Sequence, residues 1–165
     1  MIYEITKIQS HYDERGVFAE LMRCDWTSII CSDEIKQTNL SISYPGIIRA
    51  WHKHVNDQFD YLLCIKGCIK VCIFEEEQSK LQEIVSNGQS LQIVKVNGKY
   101  WHGFKVLGNE PAILVYFTSK LYDYNHPDEE RRIWNDPTVI PQTINGKTND
   151  PRVGKSWDWN YPPHK

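Results

Sequence analysis

Side chains alternate with a period of two through the middle of this chain. Between residues 68 and 74, Ile69, Val71 and Ile73 take one side, while Cys68, Lys70 and Cys72 take the other. That is the pattern of a strand with one face turned inward. β-branched and aromatic runs also cover residues 35–43, 47–54, 59–65, 90–96, 102–106 and 112–118. Lys66-Gly67, Asn87-Gly88 and Asn97-Gly98 read as turns between them, and 75–80 reads as a charged loop. Helical periodicity is nearly absent, with one short helix predicted near 25–31. Many short strands at regular spacing predict an all-β sandwich or barrel.

From Asp123 onward the alternation vanishes, and Trp, Tyr and Pro become frequent among charges. Aromatic residues need burial, so this tail is predicted to be an ordered, irregular wrap over the barrel. Neither a repeat nor a linker interrupts the chain. Its 165 residues suit one domain with a sizeable core, taken as 1–165.

With 41% hydrophobic and 24% charged residues the chain is expected to fold, and its net charge of −2 gives no basic bias toward nucleic acid. No apolar run has the length of a membrane span, no basic amphipathic stretch suggests a membrane surface, and Met1-Ile2-Tyr3-Glu4 does not resemble a signal peptide. A cytoplasmic location is the expectation. The five cysteines include no C-x-x-C pair, and Cys64, Cys68 and Cys72 are expected to be buried, reduced thiols.

The sharpest local feature is Gly46-Ile47-Ile48-Arg49-Ala50-Trp51-His52-Lys53-His54, followed by Asp60 and Gly67. Residues two apart on a strand share a face, so His52 and His54 point the same way. Two imidazoles entering one barrel cavity suit metal binding or proton transfer.

Glycine, five residues, His-x-His, an acidic residue and a later glycine resemble the first cupin motif. Gly98-Lys99-Tyr100-Trp101-His102-Gly103-Phe104 echoes the second. This resemblance implies a cupin, a double-stranded β-helix or jelly-roll barrel. In metal-dependent cupins the matching positions would be His52, His54, Asp60 and His102, holding a divalent ion.

A closer resemblance runs along most of the chain, to the dTDP-4-dehydrorhamnose 3,5-epimerase family, cupins that work without a metal or other cofactor. Asp13-Glu14-Arg15-Gly16-Val17-Phe18-Ala19-Glu20 resembles its D-x-R-G-x-F-x-E segment, and Gln37-Thr38-Asn39-Leu40-Ser41 its Q-x-N-x-S strand. Gly46 to His52 resembles G-V-x-R-G-L-H, and His102-Gly103-Phe104 its H-G-F. Tyr116 to Tyr122 with Pro127 and Glu130, and then Trp134-Asn135-Asp136-Pro137, resemble its last two motifs.

The resemblance implies an isomerase acting on a 4-keto-6-deoxy nucleotide sugar in polysaccharide precursor synthesis. His52 would be the base that removes the proton beside the ketone. Tyr122 would be the acid on the opposite face, with Tyr124 as the alternative. Arg49 would contact the diphosphate, although it shares the strand parity of neither Ala50 nor His52. Gln37, Asn39 and His102 match pocket-lining positions. Arg15, Phe18 and Glu20 match a nucleotide-binding segment that in the family can come from a neighbouring subunit, which implies a homodimer.

The chain departs from the family at Asp60, where a lysine associated with the substrate and the developing enolate is usual, and at His54. Both departures move the site toward the metal-cupin pattern. Asp150 is the candidate for the aspartate that supports the base. The alternative functions are a sugar-nucleotide 3,4-ketoisomerase using both His52 and His54, a metal-dependent cupin, and a sugar-binding cupin without chemistry.

Overall fold

A computed structural model describes residues 2–30 and 34–162. In chain order the elements are β1 (Tyr3–Lys7), β2 (Ser10–Asp13), β3 (Gly16–Ala19), α1 (Thr27–Ile30), β4 (Gln37–Ser43), β5 (Ile48–His54) and β6 (Phe59–Lys66). They continue with β7 (Cys68–Glu75), β8 (Lys80–Asn87), β9 (Gln92–Asn97), β10 (Trp101–Leu107), β11 (Ala112–Thr118), β12 (Glu129–Arg131) and β13 (Thr143–Ile144). Each run that alternates in the sequence lies within or overlaps a strand. Cys31, the end of the predicted helix, lies outside the described residues.

Two sheets carry the architecture, with strand orders β1-β9-β6-β11-β4 and β12-β5-β10-β7-β8-β13. The pairings are antiparallel except β13 with β8. This is the jelly-roll barrel of a cupin. Lys66-Gly67 is a turn, but it carries the chain from one sheet to the other rather than closing a hairpin. Gly67 has φ +75°, and a Cβ there would fall 2.7 Å from the Pro111 carbonyl oxygen. Both facts require glycine.

The inward-facing series grade from polar to apolar along the strands. On β6 the series is Asp60, Leu62, Cys64; on β10 it is His102, Phe104, Val106; on β11 it is Thr118, Tyr116, Leu114, Ala112. Their apolar ends meet Ile69, Val71, Ile73, Val94 and Val96 in a closed core. Their polar ends cannot pack there without losing hydration, so that end of the barrel remains a cavity.

Both outer faces are covered. Ile8, Ile29, Ile30, Leu21 and Trp26 lie over Tyr61, Leu63, Ile93 and Phe117 of the five-stranded sheet. The C-terminal segment places Val139, Trp157 and Trp159 on Trp51, Cys72, Phe74 and Trp101 of the six-stranded sheet. The expected wrap is therefore present, and it includes the short strands β12 and β13.

β8 has no counterpart among the strands read from the sequence. Its outward Glu83 pairs with Lys70 and Arg152 beneath the C-terminal segment, which masks the alternation. β1 and the β2–β3 hairpin were also not anticipated, being only four or five residues per strand. Cys64 and Cys72 are buried free thiols, Cys68 is half-buried and Cys24 is exposed.

Candidate active site

The polar end of the barrel opens as a cavity of about 550 Å³. The six-stranded sheet contributes Arg49, His52, His54, His102, Glu129 and Arg131 to its lining, and the five-stranded sheet contributes Gln37, Asn39, Ser41, Asp60, Tyr116 and Thr118. Tyr122 closes one side from the segment after β11.

A β-bulge explains how Arg49 joins the histidines despite its parity. β10 pairs His102 with His52 but Phe104 with Arg49, so Ala50 and Trp51 together oppose Gly103. The extra residue reverses the facing of everything before it. Trp51 turns outward onto Trp159, 4.8 Å away between ring centroids. Arg49 turns inward, where its Nε donates to Ser43 Oγ at 3.1 Å. The Ala50–Trp51 peptide is cis.

Asp60 is the anchor of the floor. Its Oδ2 accepts from His102 Nε2 at 3.0 Å, and its Oδ1 from Gln58 Nε2 at 2.7 Å. His54 Nε2 stands 3.4 Å from Oδ2. Burial alone would raise this carboxyl, but His102 and His54 hold it well below the usual carboxylate range. His102 also donates from Nδ1 to the Tyr100 carbonyl at 2.8 Å, so both its nitrogens are engaged. His54 donates from Nδ1 to Asp128 Oδ1 at 3.1 Å. Burial pulls the His54 imidazole down, yet Asp60 and Asp128 outweigh it and push it up to about 9.

His52 differs from both. Among the described residues no group hydrogen-bonds either of its ring nitrogens. Its ring stands edge-on to His102, with centroids 4.2 Å apart. Burial and then His102 pull it well below the usual histidine range, against a partial offset from Asp60. It is a neutral imidazole with a free lone pair, which is what a general base requires.

The ligand atoms of His52, His54, Asp60 and His102 all lie within 4.8 Å of one another. The donor set fits a divalent cation. The Nδ1 atoms of His54 and His102 each donate to an outer oxygen, leaving both Nε2 atoms converging on Asp60. Outer acceptors orient metal-binding imidazoles in this way.

Of the residues read from the sequence, Gln37, Asn39, Arg49, His52, His54, Asp60, His102 and Tyr122 line one cavity. Tyr122 is 40% exposed, and Tyr124, 85% exposed, lies outside the cavity lining, edge-on to the Tyr122 ring. Arg15, Phe18 and Glu20 do not reach the cavity of their own chain. Arg15 is bonded to Asp13 and Glu20 to Arg23 on the surface. Asp150 does not support His52: it pairs with Arg152, which reaches Glu83 on the outer side of the six-stranded sheet. Gln58, Tyr116, Asp128, Glu129 and Arg131 were not assigned roles from the sequence. Tyr116 and Gln58 carried a usable signal, since they share strand parity with Thr118 and Asp60. Asp128 carried none, because its partner His54 lies 74 positions earlier.

Known proteins resemble this chain along most of its length. Residues 11–130 match the family model described as the polysaccharide biosynthesis C-terminal domain. A probable low-salt glycan biosynthesis epimerase of Haloferax volcanii is 38% identical over 133 residues, 78% of this chain and 84% of that protein. A spore coat polysaccharide biosynthesis protein of Bacillus subtilis is 33% identical over 141 residues, 82% of this chain and 91% of that one. Among solved structures, a dTDP-6-deoxy-D-glucose-3,5-epimerase of Legionella pneumophila in complex with dTDP-4-keto-L-rhamnose superposes with a TM-score of 0.73 at 20% identity, covering 83% of this chain and 76% of that one. A 4-keto-6-deoxy sugar epimerase from the novobiocin cluster of Streptomyces spheroides gives 0.72 at 21%, covering 98% and 77%. At this identity the structural likeness shows the fold.

Proposed function

This chain belongs to the polysaccharide biosynthesis C-terminal domain family, and from that premise we propose that it is an epimerase of a 4-keto-6-deoxy nucleotide sugar. The observation that carries the reading is His52: one imidazole of three in the cavity with a free lone pair, facing a space that also holds the Tyr122 side chain. The Haloferax volcanii relative, described as a probable epimerase, supports it.

Epimerisation beside a ketone removes a proton from carbon, leaves an enolate, and returns a proton to the other face. His52 takes the proton and Tyr122 donates the replacement. The enolate requires positive charge or hydrogen-bond donors near its oxygen. Asp60 does not oppose it as a bare anion would, because His102, Gln58 and His54 surround its carboxylate. Arg49 takes the diphosphate through its guanidinium. Gln37 and Asn39, joined by a 2.8 Å hydrogen bond, offer a polar wall for sugar hydroxyls. Arg15, Phe18 and Glu20 complete the nucleotide site of a second copy in a homodimer.

A second reading is favoured by the orientation of the His54 and His102 rings. His52, His54, Asp60 and His102 would then hold a divalent cation, which when bound would act as a Lewis acid on the carbonyl oxygen.

The test is deuterium incorporation into dTDP-4-keto-6-deoxyglucose in heavy water. His52→Ala abolishes it, since a general base contributes about 100- to 10,000-fold. Tyr122→Phe loses product while retaining exchange at one carbon. Unchanged exchange in His52→Ala refutes the assignment, and loss of wild-type exchange on chelation selects the second reading.

A further inference from the structure

Beneath His54 lies a carboxylate that the proposed chemistry does not use. Asp128 sits just before β12, whose first residue Glu129 pairs with His54 across the strands. Its backbone carbonyl accepts from the Val55 amide at 3.2 Å, so the strand pairing fixes its position. Its Oδ1 meets His54 Nδ1 at 3.1 Å, while its Oδ2 is buried with no hydrogen-bond partner among the described residues. A carboxylate left half-satisfied in a protein interior costs stability. What the second oxygen leaves unmet, the first spends on the His54 ring, whose Nδ1–H has Asp128 as its acceptor.

What the carboxylate does is visible on the far side of the imidazole. His54 Nε2 stands 3.1 Å from Gln58 Nε2 and 3.4 Å from Asp60 Oδ2. Gln58 and His102 in turn grip the two oxygens of Asp60. Asp128, His54, Asp60 and His102 thus form one connected chain of polar groups under the cavity, crossing from the six-stranded sheet to the five-stranded sheet and back, with Gln58 on the other oxygen of Asp60.

We propose that Asp128 is a positioning residue: by accepting from Nδ1 of His54 it sets the plane of that imidazole, and so holds the Asp60 carboxylate against His102 at the cavity floor. The effect on turnover rests on the epimerase reading; the effect on His54 does not. The hydrogen bond uses Nδ1 alone, so it persists whatever Nε2 carries. Outer acceptors of this kind typically contribute about 10- to 100-fold to activity when a histidine must be held.

The experiment uses the full chain, labelled with ¹⁵N and treated with a chelator, in wild type, Asp128→Ala and Asp128→Asn. Imidazole correlation spectra report whether His54 Nδ1–H is hydrogen-bonded and protected from exchange with water. Wild type shows a protected Nδ1–H. Asp128→Ala loses it, and Asp128→Asn keeps it, because an amide oxygen still accepts. With dTDP-4-keto-6-deoxyglucose as probe, Asp128→Ala lowers kcat for deuterium incorporation about 10- to 100-fold with KM little changed. Asp128→Asn restores most of the rate, and both variants keep a cooperative unfolding transition.

A protected Nδ1–H in Asp128→Ala overturns the proposal. So does a lost Nδ1–H with unchanged kcat, and so does a rise in KM alone, which would make Asp128 a binding group. If wild type exchanges no proton with the probe, with or without chelator, the epimerase reading falls first. The His54 signal in Asp128→Ala then decides the positioning role by itself.

Discussion

Three imidazoles face one cavity, and their hydrogen bonds divide them. His102 spends both nitrogens, on the Tyr100 carbonyl and on Asp60. His54 is held by Asp128 and pushed up to about 9. His52 alone keeps its nitrogens for a ligand, and burial with His102 beside it holds it well below the usual histidine range. A base with a depressed pKa keeps its free form as the solution becomes acid. The rate of deuterium incorporation therefore stays level as pH falls through about 6.5, the ordinary histidine value, and declines only well below it. A pH–rate profile of kcat/KM checks this; half-loss at pH 6.5 or above would assign the base to a different group. Tyr116 also faces the cavity, with its phenol pushed up by burial and then by Asp60, so it is present there as a neutral hydroxyl.

At the scale of the element, the site depends on the bulge where β5 meets β10. Gly103 permits it: a Cβ there would fall 2.4 Å from Ala50 Cβ and 2.5 Å from the Arg49 carbonyl oxygen. Strand backbone on both sides leaves nothing flexible to move aside. Gly103→Ala is expected to cost about 1–3 kcal/mol, as overpacking does, and to lower Tm by several degrees. Exchange activity should fall by more than stability does, because the strain lands between Arg49 and His52 and turns one of them from the cavity. Thermal unfolding and the exchange rate of the same preparation check the pair of outcomes. The outward turn of Trp51 within the bulge is met by Trp159, which donates from Nε1 to the Trp134 carbonyl at 3.0 Å. The C-terminal segment thereby backs the strand that carries the base.

At the scale of the molecule, both sheets are covered on their outer sides, yet apolar surface remains exposed. The β2–β3 hairpin leaves Val17 and Phe18 60% and 65% exposed, and the edge strand β4 leaves Leu40 and Ile42 similarly open. An exposed apolar hairpin, and an edge strand with one side unpaired, are the kinds of surface that a second copy covers. The chain is expected to sediment as a dimer at micromolar concentration. Phe18→Asp is expected to give a folded monomer with weakened dTDP binding, measured by sedimentation and calorimetry. A wild-type monomer, or a monomeric variant with unchanged nucleotide binding, would leave Arg15, Phe18 and Glu20 without the proposed role.

The jelly roll was legible because strand alternation is a local property: Ile69, Val71 and Ile73 declare their face wherever the chain leads. The same parity placed His52 with His54 and, through the resemblance, Gln37, Asn39 and His102 in one pocket. Parity failed at Arg49, because a bulge exists only between two strands and Gly103 lies 54 positions away in the chain. It could not reveal that Asp60 is gripped by His102, 42 residues away, or that Asp128 holds His54. Asp150 read as a support for the base, and the packed C-terminal segment delivered it to Arg152 on the outer face instead. Where the alternating central strands run, and which way they face outside the bulge, follows from the sequence, since successive side chains must alternate. Which polar groups neutralise one another follows only from the two sheets meeting, since hydrogen bonds join atoms in space.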